Sequence, residues 1–474
     1  MQKVSGCHDE DSIRKFWRRH KSLLASEVRE RLLDLLKDFP ATNPNTPCEP
    51  TDIARELGCC ILQARSSKGR GIETQNSEYS LQNHTDMISD RVRVAAFWDA
   101  IRRALASNAV DASEASAIRV LDVGSGAFCF LSRMALAAGA KEVHAVEVNH
   151  AAWSHATQLF QAEVRLSSSS SSSSAAGEFC SNLEEFDEDI KESLQMVSPF
   201  PLIGREAQAK ELTAHASETT YAVTLSLGNQ SERSEVRSEI KLLTQCGHSG
   251  HSPSSLAGPY QLVIHEVLGH IASSEGVAET IDGLVRRGVC SPNCVFIPRA
   301  AGTLFAPTVA LKPSDLENVL NAHFNGEVGI RTQVKYHARC FDSSYFLAEP
   351  QPFEWYEFGK SDCVQRRRVT FVTAKEGNFN GLHFHLLIEL DEFTSIDTLR
   401  SETTWSTTYV RLIEDSVWLP AGTRMVCDCE MKLKSDGPDG PGPNQGIRCF
   451  SVQVHIGEPW DEQEIASFSW EGCT

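Results

Sequence analysis

The segment Ile118–Phe128, IRVLDVGSGAF, decides the fold class. Its β-branched run IRVLDV leads into the glycine-containing stretch GSGAF, and CFLSRMALAAGA then has the composition of a helix that ends near Gly139. The next apolar run, VHAVEV, predicts a second strand that ends at Glu147. Strand, glycine loop, helix and strand form a βαβ unit, so the sequence predicts a doubly wound α/β domain at the centre of the chain.

Composition and charge limit the remaining function classes. The chain has 474 residues, enough for about three domains of about 150 residues. Its 63 acidic and 45 basic residues give a formal charge of -18, which disfavours direct nucleic-acid and anionic-membrane binding and favours basic partners. No apolar run approaches the roughly 20 residues that cross a bilayer, and the first residues lack the apolar stretch of a signal peptide. We therefore expect a cytoplasmic or nuclear protein.

Outside the βαβ unit, composition predicts the domain organisation. Residues 1–76 are expected to form an N-terminal helical region and linker, and residues 77–297 the α/β domain. Eight consecutive serines and an acidic patch predict a low-complexity insertion, partly disordered, at about 166–258. In residues 298–474 apolar side chains recur with a period of two, which predicts a β-rich domain, either a barrel or a sandwich. Fifteen scattered cysteines indicate reduced thiols, and we expect no metal site.

The glycine loop indicates a nucleotide-like ligand. Gly124 and Gly126 allow close approach of the backbone, and the following helix start offers N–H donors. Asp122 precedes the loop, and Glu147 ends the next strand, where an acid accepts hydrogen bonds from ribose hydroxyls. This pattern fits S-adenosylmethionine (SAM) or a dinucleotide. Cys129 occupies the position where a dinucleotide-binding fingerprint has its last glycine, which argues against NAD as the ligand.

Two carboxylates nine residues apart flank one loop farther along the chain. Glu266 ends the predicted strand YQLVIHE, and Glu275 lies in HEVLGHIASSEG. Acids at the carboxyl end of a sheet strand suit a cationic ligand, because two carboxylates accept the N–H donors of a planar guanidinium. The alternative interpretation is that Glu275 is an ordinary surface residue.

The order of these segments resembles the protein arginine methyltransferases. HTDMISDRVR, VLDVGSGAF, VHAVEVN, HEVLGHIASSE and FIPRAAGTLFAP follow one another as in that family's catalytic core, from Tyr79 to about His455 apart from the insertion. The resemblance implies an α/β Rossmann-like SAM-dependent methyltransferase domain followed by a C-terminal β-barrel, with an α-helical N-terminal region. It also implies SAM as cofactor, basic arginine-containing protein substrates, and a homodimer whose contact arm would lie within Leu311–Pro350.

The resemblance also implies roles for single residues. Glu266 and Glu275 match the two catalytic arms of the family's double-E loop, and Arg93 matches the arginine that pairs with the SAM carboxylate. Trp405, in Thr403-Thr404-Trp405, matches a residue of the substrate pocket. The implied cofactor-binding residues are His84, Met87, Arg93, Asp122, Gly124, Gly126 and Glu147.

Two departures from the family pattern leave other functions open. Phe128 stands where the family's loop usually has a third glycine, and Thr404 stands where its threonine-histidine-tryptophan loop has histidine. With these changes the sequence also fits a catalytically silent scaffold that binds basic partners. A third interpretation is a SAM-dependent methyltransferase with a non-arginine substrate.

Overall fold

The computed structural model describes eleven stretches of the chain. The N-terminal region predicted to be helical, residues 1–76, lies outside the described residues, as do residues 170–174 of the serine run. Within the described stretches, no helix is long and apolar enough to cross a membrane. The described residues are 81–110, 118–169, 209–215, 218–227, 234–243, 258–311, 319–325, 333–338, 341–413, 415–433 and 448–471.

The first part of the chain forms the predicted α/β domain. Its helices are α1 (Leu81–Ser89), α2 (Arg91–Val110), α3 (Phe130–Ala137), α4 (His150–Ser169) and α5 (Val277–Arg286). Its strands are β1 (Arg119–Val123), β2 (Glu142–Val146), β3 (Ala209–His215), β4 (Glu218–Leu227), β5 (Ser234–Leu243), β6 (Tyr260–His265) and β7 (Cys290–Ile297). In the described residues these strands form one sheet in the order β3-β4-β5-β2-β1-β6-β7.

The centre of this sheet is parallel and buried. β1 pairs in parallel with β2 on one side and β6 on the other, and β7 continues the parallel arrangement. Val120, Val143 and Val263 are completely buried, as expected for strands covered on both faces. Parallel strands place their carboxyl ends at one edge, so the loops after β1, β2 and β6 meet there.

The prediction of a low-complexity insertion at 166–258 is wrong in part, because three strands within this segment belong to the sheet. β5 pairs in parallel with β2, from Glu142 opposite Glu239 to Val146 opposite Leu243. β4 pairs antiparallel with β5, and β3 with β4. The polar average of the segment concealed the alternation of polar and apolar residues in ETTYAVTLSL and SEVRSEIKLL, which is typical of strands.

The second part of the chain consists of two antiparallel sheets, in agreement with the predicted β-rich domain. The strands are β8 (Ala300–Val309), β9 (Val319–Asn325), β10 (Gln333–Ala338), β11 (Gln351–Glu357), β12 (Gln365–Val372), β13 (Gly377–Glu389), β14 (Ser395–Asp397), β15 (Thr407–Arg411), β16 (Val417–Leu419), β17 (Arg424–Leu433), β18 (Arg448–Ile456) and β19 (Gln463–Glu471). In the described residues the larger sheet has the order β11-β8-β13-β15-β10-β9, with β14 and β16 paired to β13, and the smaller sheet has the order β12-β17-β18-β19.

The two antiparallel sheets enclose one apolar core. It contains Phe305, Phe353 and Phe384 from the larger sheet, together with Phe450 and Trp470 from the smaller. The rings of Phe353 and Trp470 stack with centroids 5.8 Å apart, which joins the two layers.

A separate core joins the α/β domain to the antiparallel domain. Ile264 of β6 and Leu268 in the following loop belong to one buried cluster with Leu386 and Ile388 of β13. The loop after β6 therefore lies between the two parts of the chain. Its conformation depends on both, and this loop carries Glu266 and Glu275.

Candidate functional site

A cavity lies at the carboxyl ends of β1, β2 and β6, where ligands of open α/β sheets bind. It is covered by residues of α1 and the start of α2 and closed on one side by the loop after β6. Eight of the residues predicted for the site line it. They are His84, Met87, Arg93, Gly124, Gly126, Glu147, Glu266 and Glu275.

The glycine loop passes close to two neighbouring side chains. Gly124 and Gly126 have φ angles of 73° and 68°, in the left-handed region that favours glycine. A Cβ atom on Gly124 would lie 2.8 Å from the Val267 side chain, and one on Gly126 would lie 2.9 Å from the His84 ring. Both the backbone conformation and the space therefore require glycine on this wall of the cavity.

Glu147 connects the end of β2 to the glycine loop. One carboxylate oxygen accepts the Gly126 N–H at 2.8 Å, and the other accepts the Asn149 N–H at 2.7 Å. Burial raises the pKa of Glu147, while these backbone N–H groups act in the opposite direction. A carboxylate has about four lone-pair positions, so Glu147 can accept further hydrogen bonds from ligand hydroxyls at the cavity.

Asp122, a predicted cofactor residue, does not line the cavity. Its side chain is completely buried, and one oxygen accepts the Ser132 N–H at 2.9 Å and the Ser132 hydroxyl at 2.5 Å. Burial raises the Asp122 pKa to about 7. The resemblance assigned Asp122 to the cofactor, whereas in this structure its side chain fastens α3 to β1.

The cover of the cavity is uncharged at His84. Burial, followed by the neighbouring His155 and Arg93, lowers the His84 pKa to about 4. The His84 ring meets the edge of Phe128 with centroids 6.5 Å apart. Phe128 is buried and packs against Ala152 and other apolar residues, so the bulky residue at the third-glycine position is accommodated in the wall.

Arg93 contacts Glu266 directly across the cavity. A terminal nitrogen of Arg93 forms an ion pair with Glu266, and the other donates to the Thr404 hydroxyl at 2.9 Å. The guanidinium stacks on the Trp405 ring at 3.9 Å from its centroid. Trp405 was predicted to line the substrate pocket, but it is buried beneath Arg93 and donates from its indole nitrogen to the Leu268 carbonyl at 3.2 Å.

Asp90 connects α2, the helix that carries Arg93, to the loop that contains Thr404. One of its oxygens accepts the Arg93 N–H at 3.1 Å, as a helix N-cap does. The other accepts the Thr404 N–H at 2.6 Å and the Thr404 hydroxyl at 3.1 Å. Asp90 was missed in the sequence analysis. An aspartate at the start of a predicted helix is a capping signal that could have identified it, but Thr404 lies 314 residues away.

The loop after β6 folds back so that its two glutamates reach the same cavity. A Cβ on Gly269 would lie 2.1 Å from the Ser274 hydroxyl, so glycine permits this return. The Glu266 side chain is only 12% exposed, and Glu275 is partly buried. Two carboxylates in one largely buried cavity can bind a planar cation with several N–H donors.

Comparisons with known proteins give similarities of overall fold. No protein-family model matches the sequence, and no curated protein matches it. The PRMT1 enzyme–prozyme heterotetrameric complex with AdoHcy from Trypanosoma brucei is 13% identical and has a TM-score of 0.49, with 84% of this chain and 99% of that chain covered. Protein arginine methyltransferase 10 from Arabidopsis thaliana, in an open conformation, is 14% identical with a TM-score of 0.48 and the same coverage.

Proposed function

We propose that the protein is a SAM-dependent methyltransferase that acts on the guanidinium of arginine in protein substrates. The observation that carries the proposal is the loop that brings Glu266 and Glu275 to one cavity with the glycine loop and Glu147. One wall of the cavity is suited to a nucleoside and the other to a planar cation. Methyl transfer from SAM to arginine requires both.

The residues of the cavity fit SAM. Gly124 and Gly126 present bare backbone to the cavity, and Glu147 offers acceptors for ribose hydroxyls. Among the described lining residues, Arg93 is the sole lysine or arginine, and it can pair with a ligand carboxylate. Bound SAM would supply a methyl group activated by the sulfonium.

Glu266 and Glu275 are suited to hold the arginine substrate. A guanidinium has a pKa above about 12, and its delocalised charge makes its nitrogens poor nucleophiles. Two carboxylates draw that charge toward the nitrogens they bind and fix the remaining nitrogen in position. The Glu266–Arg93 ion pair supports this role, because Glu266 already accepts a guanidinium. Once the nitrogen is methylated and acidic, Glu275 can take its proton.

The charge of the chain suits a basic partner. With a net charge of -18, the protein attracts arginine-rich segments at long range, and this attraction weakens as salt rises. We propose such proteins as substrates, in the cytoplasm or nucleus. Binding of an arginine-rich peptide should become weaker between low and physiological salt.

Two measurements on the full chain test the proposal. Calorimetry should show SAM binding, and mass spectrometry of a Gly/Arg-rich peptide incubated with enzyme and SAM should show methylated arginine. No heat of binding at millimolar SAM would contradict the proposal and favour the scaffold. SAM binding without arginine modification, but with methylation of another residue, would favour a different substrate.

A further inference from the structure

A cluster of buried polar side chains fastens the middle of the Glu266–Glu275 loop to the antiparallel domain. Its members lie outside the cavity lining and come from both parts of the chain. Because all six are hydrogen bonded and all but the partly buried Glu279 are buried, the cluster has one well-defined arrangement. The members are Ser273, Glu279, Thr303, Glu354, Tyr356 and Arg448.

Glu354 of β11 binds the loop at Ser273. One of its oxygens accepts the Ser273 N–H at 3.0 Å, and the other accepts the Ser273 hydroxyl at 2.5 Å. Thr303, directly opposite Glu354 on β8, donates its hydroxyl to Glu354 at 3.0 Å and accepts the Ala272 N–H at 2.9 Å. Two consecutive backbone N–H groups of the loop are thus held by one edge of the antiparallel domain.

Arg448 of β18 holds the same serine from the other side. Its Nε donates to the Ser273 hydroxyl at 2.9 Å, and one terminal nitrogen donates to Glu279 in the first turn of α5 at 2.7 Å. The other terminal nitrogen donates to the Tyr356 hydroxyl at 2.8 Å. Arg448 is 3% exposed, so these bonds form away from water. Together they tie the loop to the helix that follows Glu275.

The chemistry of the cluster indicates positioning. Burial of a carboxylate and a guanidinium costs desolvation, and apolar residues of similar size can give equal or greater stability at such sites. Directional bonds to one loop, however, fix its geometry. We infer that Glu354 and Arg448 are positioning residues that act through Ser273 to hold Glu275, two residues farther on, at the cavity. This inference rests on the proposed function for its catalytic consequence.

Hydrogen exchange tests whether the cluster holds the loop, and it does not require enzymatic activity. In full-length Glu354→Gln protein, the amides of residues 266–276 should exchange at least about tenfold faster, while exchange in β1 and β2 is unchanged. Thr303→Val keeps the Glu354 carboxylate but removes the hydroxyl that accepts the Ala272 N–H. It should give a smaller increase in the exchange rate of the same segment. The control is Glu357→Gln, on the same strand but exposed, which should exchange like the wild type.

Kinetics test the catalytic consequence. Because a misplacement of about 1 Å can cost about 10²-fold in rate, Glu354→Gln and Arg448→Met should each lower kcat by about that factor. The KM for SAM should stay within twofold of the wild type. Ser273→Ala should lower kcat too, but should add little in the Glu354→Gln background, because both changes break the same contact. Arg366→Met, at an exposed arginine of β12, is the matched control.

Two results would overturn the inference. Unchanged exchange in residues 266–276 of both Glu354→Gln and Thr303→Val would show that the cluster does not hold the loop. Equal losses of SAM binding and kcat in the variants would show a general structural role. If the wild type transfers no methyl group, the proposed function is contradicted independently of the cluster. The exchange measurement alone then decides whether the cluster holds the loop.

Discussion

The two sides of the cavity are built in different ways. On the cofactor side, Glu147 and Gly126 are 21 residues apart and belong to one βαβ unit. Between the two sides, Arg93 and Asp90 bond to Thr404 across more than 300 residues. On the guanidinium side, the Glu266–Glu275 loop is fastened to β8, β11 and β18 of the antiparallel domain. The cofactor side depends on local sequence and the guanidinium side on docking of the antiparallel domain. Changes to the guanidinium side should therefore reduce transfer and spare SAM binding.

The largest expected effect is that of Glu266→Gln. The neutral amide keeps the size of the side chain but removes the charge that holds a guanidinium, so methyl transfer should fall by at least about 10³-fold. SAM affinity should change by less than about threefold. Single-turnover transfer and calorimetry on the same preparation measure the two quantities. Near wild-type transfer would remove Glu266 from the catalytic assignment.

Glu147→Gln should weaken SAM binding and leave methyl transfer at saturating SAM nearly unchanged, the opposite of the effect expected for Glu266→Gln. Hydrogen bonds to a charged acceptor contribute about 1.5–3 kcal/mol, so SAM should bind about 10- to 100-fold more weakly, while kcat at saturating SAM changes little. Glu142→Gln, at the start of β2 and paired with Arg119, is the matched control and should bind SAM like the wild type. Unchanged SAM affinity in Glu147→Gln would contradict the role given to the cofactor side.

Thr404→Val tests the long-range contacts with a smaller change. Valine removes the hydroxyl that accepts from Arg93 and donates to Asp90, so Arg93, the residue proposed to pair with the SAM carboxylate, loses part of its support. Two hydrogen bonds of about 1 kcal/mol each predict that SAM binds at most about 30-fold more weakly. The kcat at saturating SAM should change by less than threefold. The exposed Thr370→Val in β12 is the control, and unchanged SAM affinity in Thr404→Val would contradict the role given to Arg93.

The smallest expected effect is on stability at acidic pH. The folded His84 pKa is lowered to about 4, so between pH 6.5 and 4 the unfolded chain binds a proton that the folded chain does not. Stability is therefore lost as pH falls through this range. His84→Gln should lose about 2 kcal/mol less than the wild type between pH 7 and 5, in urea unfolding at both pH values. His150→Gln, at an exposed position of α4, is the control, and equal losses in all three proteins would contradict the prediction.

The same contrast explains what the sequence could predict. The glycine loop, Glu147 and the two glutamates could be picked out from the sequence because strand, loop and spacing are local patterns, and the structure brings them to one cavity. Trp405 and Asp122 were predicted as ligand contacts, but both side chains are buried and hydrogen bonded within the protein. The direction of a side chain depends on tertiary packing, which cannot be read from a local sequence pattern. The Asp90–Thr404 and Ser273–Glu354 bonds have no sequence signal at all. The strands within 166–258 were missed because averaged composition concealed their alternation.

The most direct test of the central claim compares two peptides that differ only in the cation. Radiolabelled SAM is incubated with the full-length protein and either an arginine-rich peptide or the same peptide with every arginine replaced by lysine. If Glu266 and Glu275 hold a planar guanidinium, label should enter the arginine peptide and not the lysine peptide, and Glu266→Gln should abolish it. Equal labelling of both peptides, or no labelling of the arginine peptide by a protein that binds SAM, would contradict the claim.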